Sequence, residues 1–446
     1  MSPTPARPGR PSPARPGRRT VLTAAAAASA GALLGAASPA RAASIQAVTL
    51  NLTARPSAES VRLRLGAAQR AGDFFPTACH VPANVRVTLT VSAPDGLVPK
   101  AVVGIPDPYG DHDLRTYTLT AGTNTLTDPY GGPLHLTFTG NGEQASVTTG
   151  TGLVGMPTFV HGTTSASTFQ WQLDNYPSAG YAQLRSAHGL ITLSRANALT
   201  YRNEDHAGLL SALETVLTSH ATFSGLSGTT GLHARNPLPY HAVNVTKVPA
   251  GWGAYASSAG FMGFPDASVA NIASESRIRT SAWGLYHELG HQHQQSAWKP
   301  AALTEVTNNL YALYAQRTLG QTSRLLTKNS SGLDEYAQAF AARNAGTAYV
   351  DLSVWAKLVP LWQLYLASGA GLWQLVHQRI RTDNPAAATD ADRYDNLAVY
   401  TSRAMGRDLT SFFADKWRYP LTASGRSRIA ALGLNPPSSD LSTLRE

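Results

Sequence analysis

Apolar and polar side chains alternate along Val85–Val91 (VRVTLTV), and more loosely along Leu114–Leu119 and Leu134–Phe138. A period of two places one face of an extended chain on a core and the other in water, so these runs predict β-strands. Turn-forming clusters separate them: Ala93-Pro94-Asp95-Gly96, Asp107-Pro108-Tyr109-Gly110, Gly131-Gly132-Pro133 and Gly140-Asn141-Gly142. Thr, Val and Leu dominate between the turns, which predicts a β-sandwich over residues 43–152. Arg62–Arg70 reads as a short helix within it.

The pattern changes after Gly150. Phe159–Ser165, Leu190–Ser194 and His241–Val248 still read as strands. In Tyr201–Ser219, however, Leu209, Leu210, Leu213, Val216 and Leu217 recur at helical spacing. Gly251–Phe264 is rich in Gly and aromatic residues, as suits an active-site loop. Beyond it the chain reads as helical: Trp283 onward, then Glu305–Leu319 after a break at Lys299-Pro300, then Leu333–Ile380, Leu397–Ala404 and Leu409–Trp417. Proline tolerates the first turn of a helix but not its interior, which sets that break. The Pro/Ser-rich tail from Asn435 is expected to be loosely held.

Composition narrows the possible functions. The chain has 446 residues, 43% hydrophobic and 14% charged, which describes a globular protein. Its formal charge is +9, but residues 1–42 carry six Arg and no acid. The remainder is 9 − 6 = +3, too little to argue for nucleic acid. No internal run is long enough to span a membrane. Arg18-Arg19, the apolar run Val21–Ala37 and Ala40-Arg41-Ala42 together read as a twin-arginine-type export signal, so a secreted protein is expected. Cys79 is the only cysteine, which excludes an intrachain disulfide and a cysteine-based metal site. It is expected to be buried.

The strongest chemical signal is His287-Glu288-Leu289-Gly290-His291. On a helix, residues four apart share a face, so the two imidazoles can meet one ion. Glu288 is rotated by about 100° and sits beside the ion. This is the arrangement of zinc peptidases, with the Glu as general base. A third ligand is needed. The H-E-x-x-H-x-x-G-x-x-H pattern fails, because Gln294 and Ala297 stand at its Gly and His positions. His293 lies about 240° around the helix from His287 and faces elsewhere. Glu305, the first carboxylate downstream, follows the Pro-containing turn and completes a His, His, Glu set of gluzincin type. The predicted metal is Zn2+, held by His287, His291 and Glu305, with Glu288 catalytic. Tyr255, Tyr336, His377 and Tyr400 are candidate donors to a carbonyl oxyanion, and the sequence does not choose among them. The remaining histidines, including His135, His220 and His241, read as ordinary positions.

The fold class expected is α+β. An N-terminal β-sandwich precedes a zincin-like metallopeptidase catalytic core over 153–320 and an α-helical subdomain over 321–446. An edge strand over the metal helix would hold a peptide by strand addition.

WGLYHELGHQHQQSAW followed by TEVTNNLYALY resembles the M60 (enhancin-like) metallopeptidases, whose signature is H-E-x-G-H followed after a gap by Glu. Gly290, the Gln294-Gln295 and Trp298 stretch, and Glu305–Leu310 match it. Phe75–Asn84 is similar to a second family segment, with departures at Ala78, His80 and Asn84. The resemblance implies His287, His291 and Glu305 as zinc ligands and Glu288 as general base. It further implies a secreted peptidase, expected to act as a monomer on O-glycosylated, mucin-like proteins. One alternative is an inactive zincin that binds glycans or a cell surface. Another is a peptidase with no glycan requirement.

Overall fold

The computed structural model of the chain describes residues 47–446. The export signal expected over 1–42 lies outside the described residues. The described residues form one compact unit.

The first strands build two sheets. β1 (Thr49–Thr53), helix α1 (Ala58–Leu65), β2 (Phe75–Val81), β3 (Arg86–Ser92), β4 (Lys100–Val103), β5 (Arg115–Thr118), β6 (Gly122–Thr127), β7 (Gly132–Thr137), β8 (Gln144–Thr149) and β9 (Val154–Gly155) follow in order. One sheet runs β1-β8-β3-β6 and the other β5-β4-β7-β2-β9. Inward residues of both, among them Val87, Leu89, Val147, Val81, Val103 and Leu134, bury one shared core. This is the sandwich that the period-two runs predict, and Cys79 is buried in it. Helix α1 begins before the Arg62–Arg70 expectation. Ser57 caps its N-terminus, and Gly66 stops it with φ 64°, a left-handed conformation that glycine adopts without strain.

A third, mixed sheet follows. Its strands are β10 (Thr158–Val160), β11 (Tyr181–Arg185), β12 (Gly189–Ser194), β13 (Tyr240–Asn244), β14 (Tyr255–Ser257) and β15 (Phe261–Phe264), in the order β10-β11-β12-β13-β15-β14. Helices α2 (Ala166–Asn175), α3 (Arg195–Thr200), α4 (His206–Phe223), α5 (Ala270–Ala273), α6 (Glu275–Thr280) and α7 (Trp283–His293) intervene or follow. The stretch expected to be an active-site loop is therefore a short hairpin, with β14 at the sheet edge. Leu209, Leu213 and Val216 of α4 pack with Leu285 and Leu289 of α7 and with Ile191 and Met262 of the sheet. That packing fixes α7 beneath the edge strand.

The rest is helical: α8 (Thr304–Thr318), α9 (Glu335–Asn344), α10 (Val354–Ser368), α11 (Ala370–Asp383), α12 (Asp390–Met405) and α13 (Ala423–Ala430). Trp298, Tyr311, Tyr336, Trp362, Trp373 and Trp417 fill their common core. Leu409–Trp417 is not an α-helix; its centre, Phe412–Lys416, is a π-type turn. The C-terminal tail also differs from expectation. Gln363 Nε2 donates to the Ser442 and Leu444 carbonyls at 2.9 Å each, and Leu441 is buried. No described helix is long and apolar enough to cross a membrane.

Candidate metal centre

Helices α7 and α8 cross at Gly290. A Cβ there would stand 2.5 Å from the Asn308 carbonyl oxygen, so only glycine lets the helices approach this closely. The crossing brings together groups far apart in sequence. Glu305 Oε2 lies 3.0 Å from His287 Nε2 and 3.3 Å from His291 Nε2. His287, Glu288 and His291 each offer a ligand atom, and these atoms lie within 4.8 Å of one another. Thus four sequence-predicted residues share one locus.

The surrounding bonds settle which nitrogens face inward. His287 Nδ1 is 2.7 Å from Asn309 Oδ1, and His291 Nδ1 is 2.9 Å from Gln294 Oε1. Both partners are amide oxygens, which only accept, so each Nδ1 carries the proton. Each Nε2 then presents a lone pair toward the Glu305 carboxylate. Three acceptors that converge in this way need a cation or a shared proton between them, which is the donor set a zinc ion takes. Asn308 Nδ2 caps the same two nitrogens at 3.0 and 2.9 Å, while its Oδ1 is buried and unpartnered. Gln294 Nε2 in turn holds the Thr304 carbonyl and Thr307 Oγ1 at 2.7 Å each, tying His291 to the start of α8. Gln295 Nε2 reaches the carbonyls of Leu65 and His377, joining α1 and α11 to the end of the motif helix.

The electrostatics follow from this packing. Burial alone would lower the His287 imidazole, but the adjacent Glu305 carboxylate, the Glu288 charge and the accepting Asn309 amide oxygen outweigh it and raise its pKa. The two imidazoles beside it hold the Glu305 carboxyl well below the usual carboxylate range. Burial raises the Glu288 carboxyl, with the two histidines pulling the other way and the Ala256 main chain hydrogen-bonding to it. A carboxylate raised toward neutrality beside a cation site can shuttle protons.

A cleft of about 760 Å³ opens over these groups. Trp252, Trp283, Trp355 and Arg324 line it together with β14. Arg324 stacks 4.5 Å above Trp355 and 5.4 Å above Trp283.

The four oxyanion candidates do not meet there. Tyr336 is buried in the helical core. His377 bonds Tyr311 and the Trp373 carbonyl, and Tyr400 donates to Asp383. Tyr255 lines the cleft, but its ring packs over Gly263 and its hydroxyl is buried without a partner. The other histidines lie apart from these groups. His135, His220, His241, His293 and His377 are all buried, and burial lowers each imidazole. Sequence reasoning missed the roles of Asn308, Asn309 and Gln294; their spacing from Glu305 and His291 was the only available signal.

Known proteins carry the same architecture. Residues 152–418 match the family described as Peptidase M60, enhancin and enhancin-like, and residues 56–149 match the N-terminal domain of M60-like peptidases. Accessory colonization factor AcfD of Vibrio cholerae is 25% identical over 375 residues, which cover 70% of this chain and 23% of that protein. The chain spans about a quarter of the length of the curated relatives it matches. Among solved structures, a mutant of a conserved Bacillus anthracis protein of unknown function has a TM-score of 0.79 at 24% identity, covering 89% of this chain and 80% of that one. The M60 catalytic domain of Clostridium perfringens ZmpC, in complex with the sialyl T antigen, has a TM-score of 0.72 at 20% identity, covering 89% and 81%.

Proposed function

The chain belongs to the M60, enhancin and enhancin-like, peptidase family, and from that premise we propose that it is a secreted zinc metalloendopeptidase acting on O-glycosylated, mucin-like proteins. One observation carries the reading: His287 Nε2, His291 Nε2 and Glu305 Oε2 converge as three acceptors, with Glu288 beside them. His287, His291 and Glu305 would hold the ion. When bound, zinc supplies Lewis acidity to a peptide carbonyl and to water.

This chain's residues supply the rest. Asn309 and Gln294 fix the imidazoles so that both Nε2 atoms point inward. Glu288 takes a proton from the attacking water and passes it to the leaving amine. The edge of β14 pairs with an extended substrate main chain. Trp283 and Trp355 offer aromatic faces, and Arg324 offers N–H donors, suited to a sugar beside the scissile bond. A glycan ligand is present in the similar ZmpC structure. Residues 1–42 are the proposed export signal.

The test uses a mucin-type glycoprotein with and without its O-glycans, together with the zinc content of wild type and Glu288→Gln. Cleavage of the glycosylated form alone, with zinc retained and turnover abolished in Glu288→Gln, is expected. Equal cleavage of both forms would remove the glycan requirement. Zinc bound without any cleavage would favour the glycan-binding alternative, and an active Glu288→Gln enzyme would overturn the general-base role.

A further inference from the structure

A second concave site lies away from the cleft. β1 is an edge strand, paired with β8 on one side only. Beside it opens a groove of about 480 Å³, lined by Thr49, Asn51, Thr53, Arg55, Phe75 and Arg185 among others. Thr49, Asn51 and Thr53 alternate outward and are exposed.

The two arginines are the anomaly. Arg55 stacks on the Phe75 ring at 4.0 Å, which holds its guanidinium flat. Arg185 projects into the same groove from the end of β11. Neither side chain is in an ion pair among the described residues, and neither has a side-chain hydrogen bond there. Residues 1–46 cannot supply the missing acid, because they contain no Asp or Glu. Each guanidinium carries five donors and no acceptor. Two such groups facing each other over a half-buried floor repel, and Arg185 adds to burial in lowering the Arg55 pKa. A protein keeps such a pair at some cost unless an anion relieves it.

We propose that this groove is an anion-binding site separate from the catalytic cleft, and that its ligand is an acidic saccharide. Arg55 and Arg185 take the carboxylate or sulfate, and the Thr49, Asn51 and Thr53 side chains meet neighbouring hydroxyls. Planar guanidinium groups match both oxyanions in two-pronged geometry. The exposed hydroxyl and amide row beside the two guanidinium groups favours a saccharide, and an acidic peptide added to the edge of β1 is the competing outcome of the test. The site does not depend on the metal reading, since it would hold its ligand with or without peptidase activity.

The test is binding of size-matched oligosaccharides to the full chain by calorimetry. The probes are a carboxylated oligosaccharide, a sulfated one, a neutral one and a polyglutamate peptide. The variants are Arg55→Gln with Arg185→Gln, and a control pair Arg86→Gln with Arg426→Gln at two exposed sites. At least one acidic saccharide should bind, weaken as salt rises, and lose tenfold or more affinity in the groove variant alone. Comparing the two acidic probes distinguishes carboxylate from sulfate. Thermal melting of the groove variant should match or exceed wild type, and hydrolysis of a small substrate should be unchanged. Equal losses in both variant pairs would mean bulk charge alone and would overturn the proposal. So would polyglutamate binding as tightly as the saccharides, or no binding of either acidic probe.

Discussion

Gly290→Ala should separate packing from site geometry. In most helices this change stabilises by about 1 kcal/mol, because alanine loses less conformational freedom. Here the new Cβ would stand 2.5 Å from the Asn308 oxygen and 3.1 Å from its carbonyl carbon. Ordinary contact begins at 3.4 Å, so α7 and α8 must part by up to 3.4 − 2.5 = 0.9 Å. Overpacking of this kind costs about 1–3 kcal/mol, so the net loss of stability is about 0–2 kcal/mol. The site suffers more, because its ligands are split between the two helices. Adding 0.9 Å to the 2.7 Å contact of His287 Nδ1 with Asn309 Oδ1 gives 3.6 Å, no longer a hydrogen bond. Losing such a support typically costs about 10–100-fold in metal affinity. Zinc affinity would be measured by competition with a chromophoric chelator, and stability by urea unfolding of metal-free protein. Gly284→Ala on the same helix is the control, since the nearest atom to its Cβ would be the end of the flexible Asn271 side chain at 3.3 Å, with the Phe264 ring at an ordinary 3.9 Å. A Gly290→Ala protein that binds zinc like wild type and gains about 1 kcal/mol would refute the argument.

Three other outcomes are expected. Asn309→Ala should weaken zinc binding by about 10–100-fold while leaving the fold intact, because it frees the His287 ring without touching a ligand atom; unchanged affinity would contradict this. Acid should destabilise the protein before its carboxylates titrate. His135 and His220 are pushed down to about 4 and His377 to about 3, all by burial. The unfolded chain binds protons below pH 6.5 and the folded chain does not, so stability falls as pH drops from 6.5 toward 4. At pH 5 the loss is about 2 kcal/mol for each histidine, and a urea midpoint that does not move between pH 7.5 and 5 would refute it. Finally, burial raises the Glu288 carboxyl above the ordinary value of 4.5, so the acid limb of kcat/KM should sit above that pH; a limb at or below it would point to another group.

The candidate metal centre was legible because its chemistry repeats locally. His287 and His291 are one turn apart, and Glu305 stands just past a proline break; each is a short-range pattern. The supporting residues were not. Asn309 and His287 are 22 residues apart and lie on different helices, so no local period links them. The sandwich showed through its alternating strands, whereas β11 is too short and too fully buried to alternate. Helix α2 was missed because its polar, serine-capped start reads as a loop. The tail looked loose from its Pro and Ser content, yet distant Gln363 carries two of its carbonyls. Three of the four oxyanion candidates, Tyr336, His377 and Tyr400, lie outside the cleft for the same reason: aromatic and histidine content says nothing about which face of an element is buried.

In the proposed reaction, the short strand beside Glu288 would govern which proteins can be cut at all. At the sheet edge its three residues would pair, in that reaction, only with a chain already stretched flat. A helical or folded segment must first give up its own pairing and then be held straight, at about 1–2 kcal/mol for every residue fixed. A segment kept extended by crowded side groups has paid most of that beforehand. Susceptibility would therefore be graded by the conformation of the victim before any side chain is read, and compact neighbours in the same mixture would be spared.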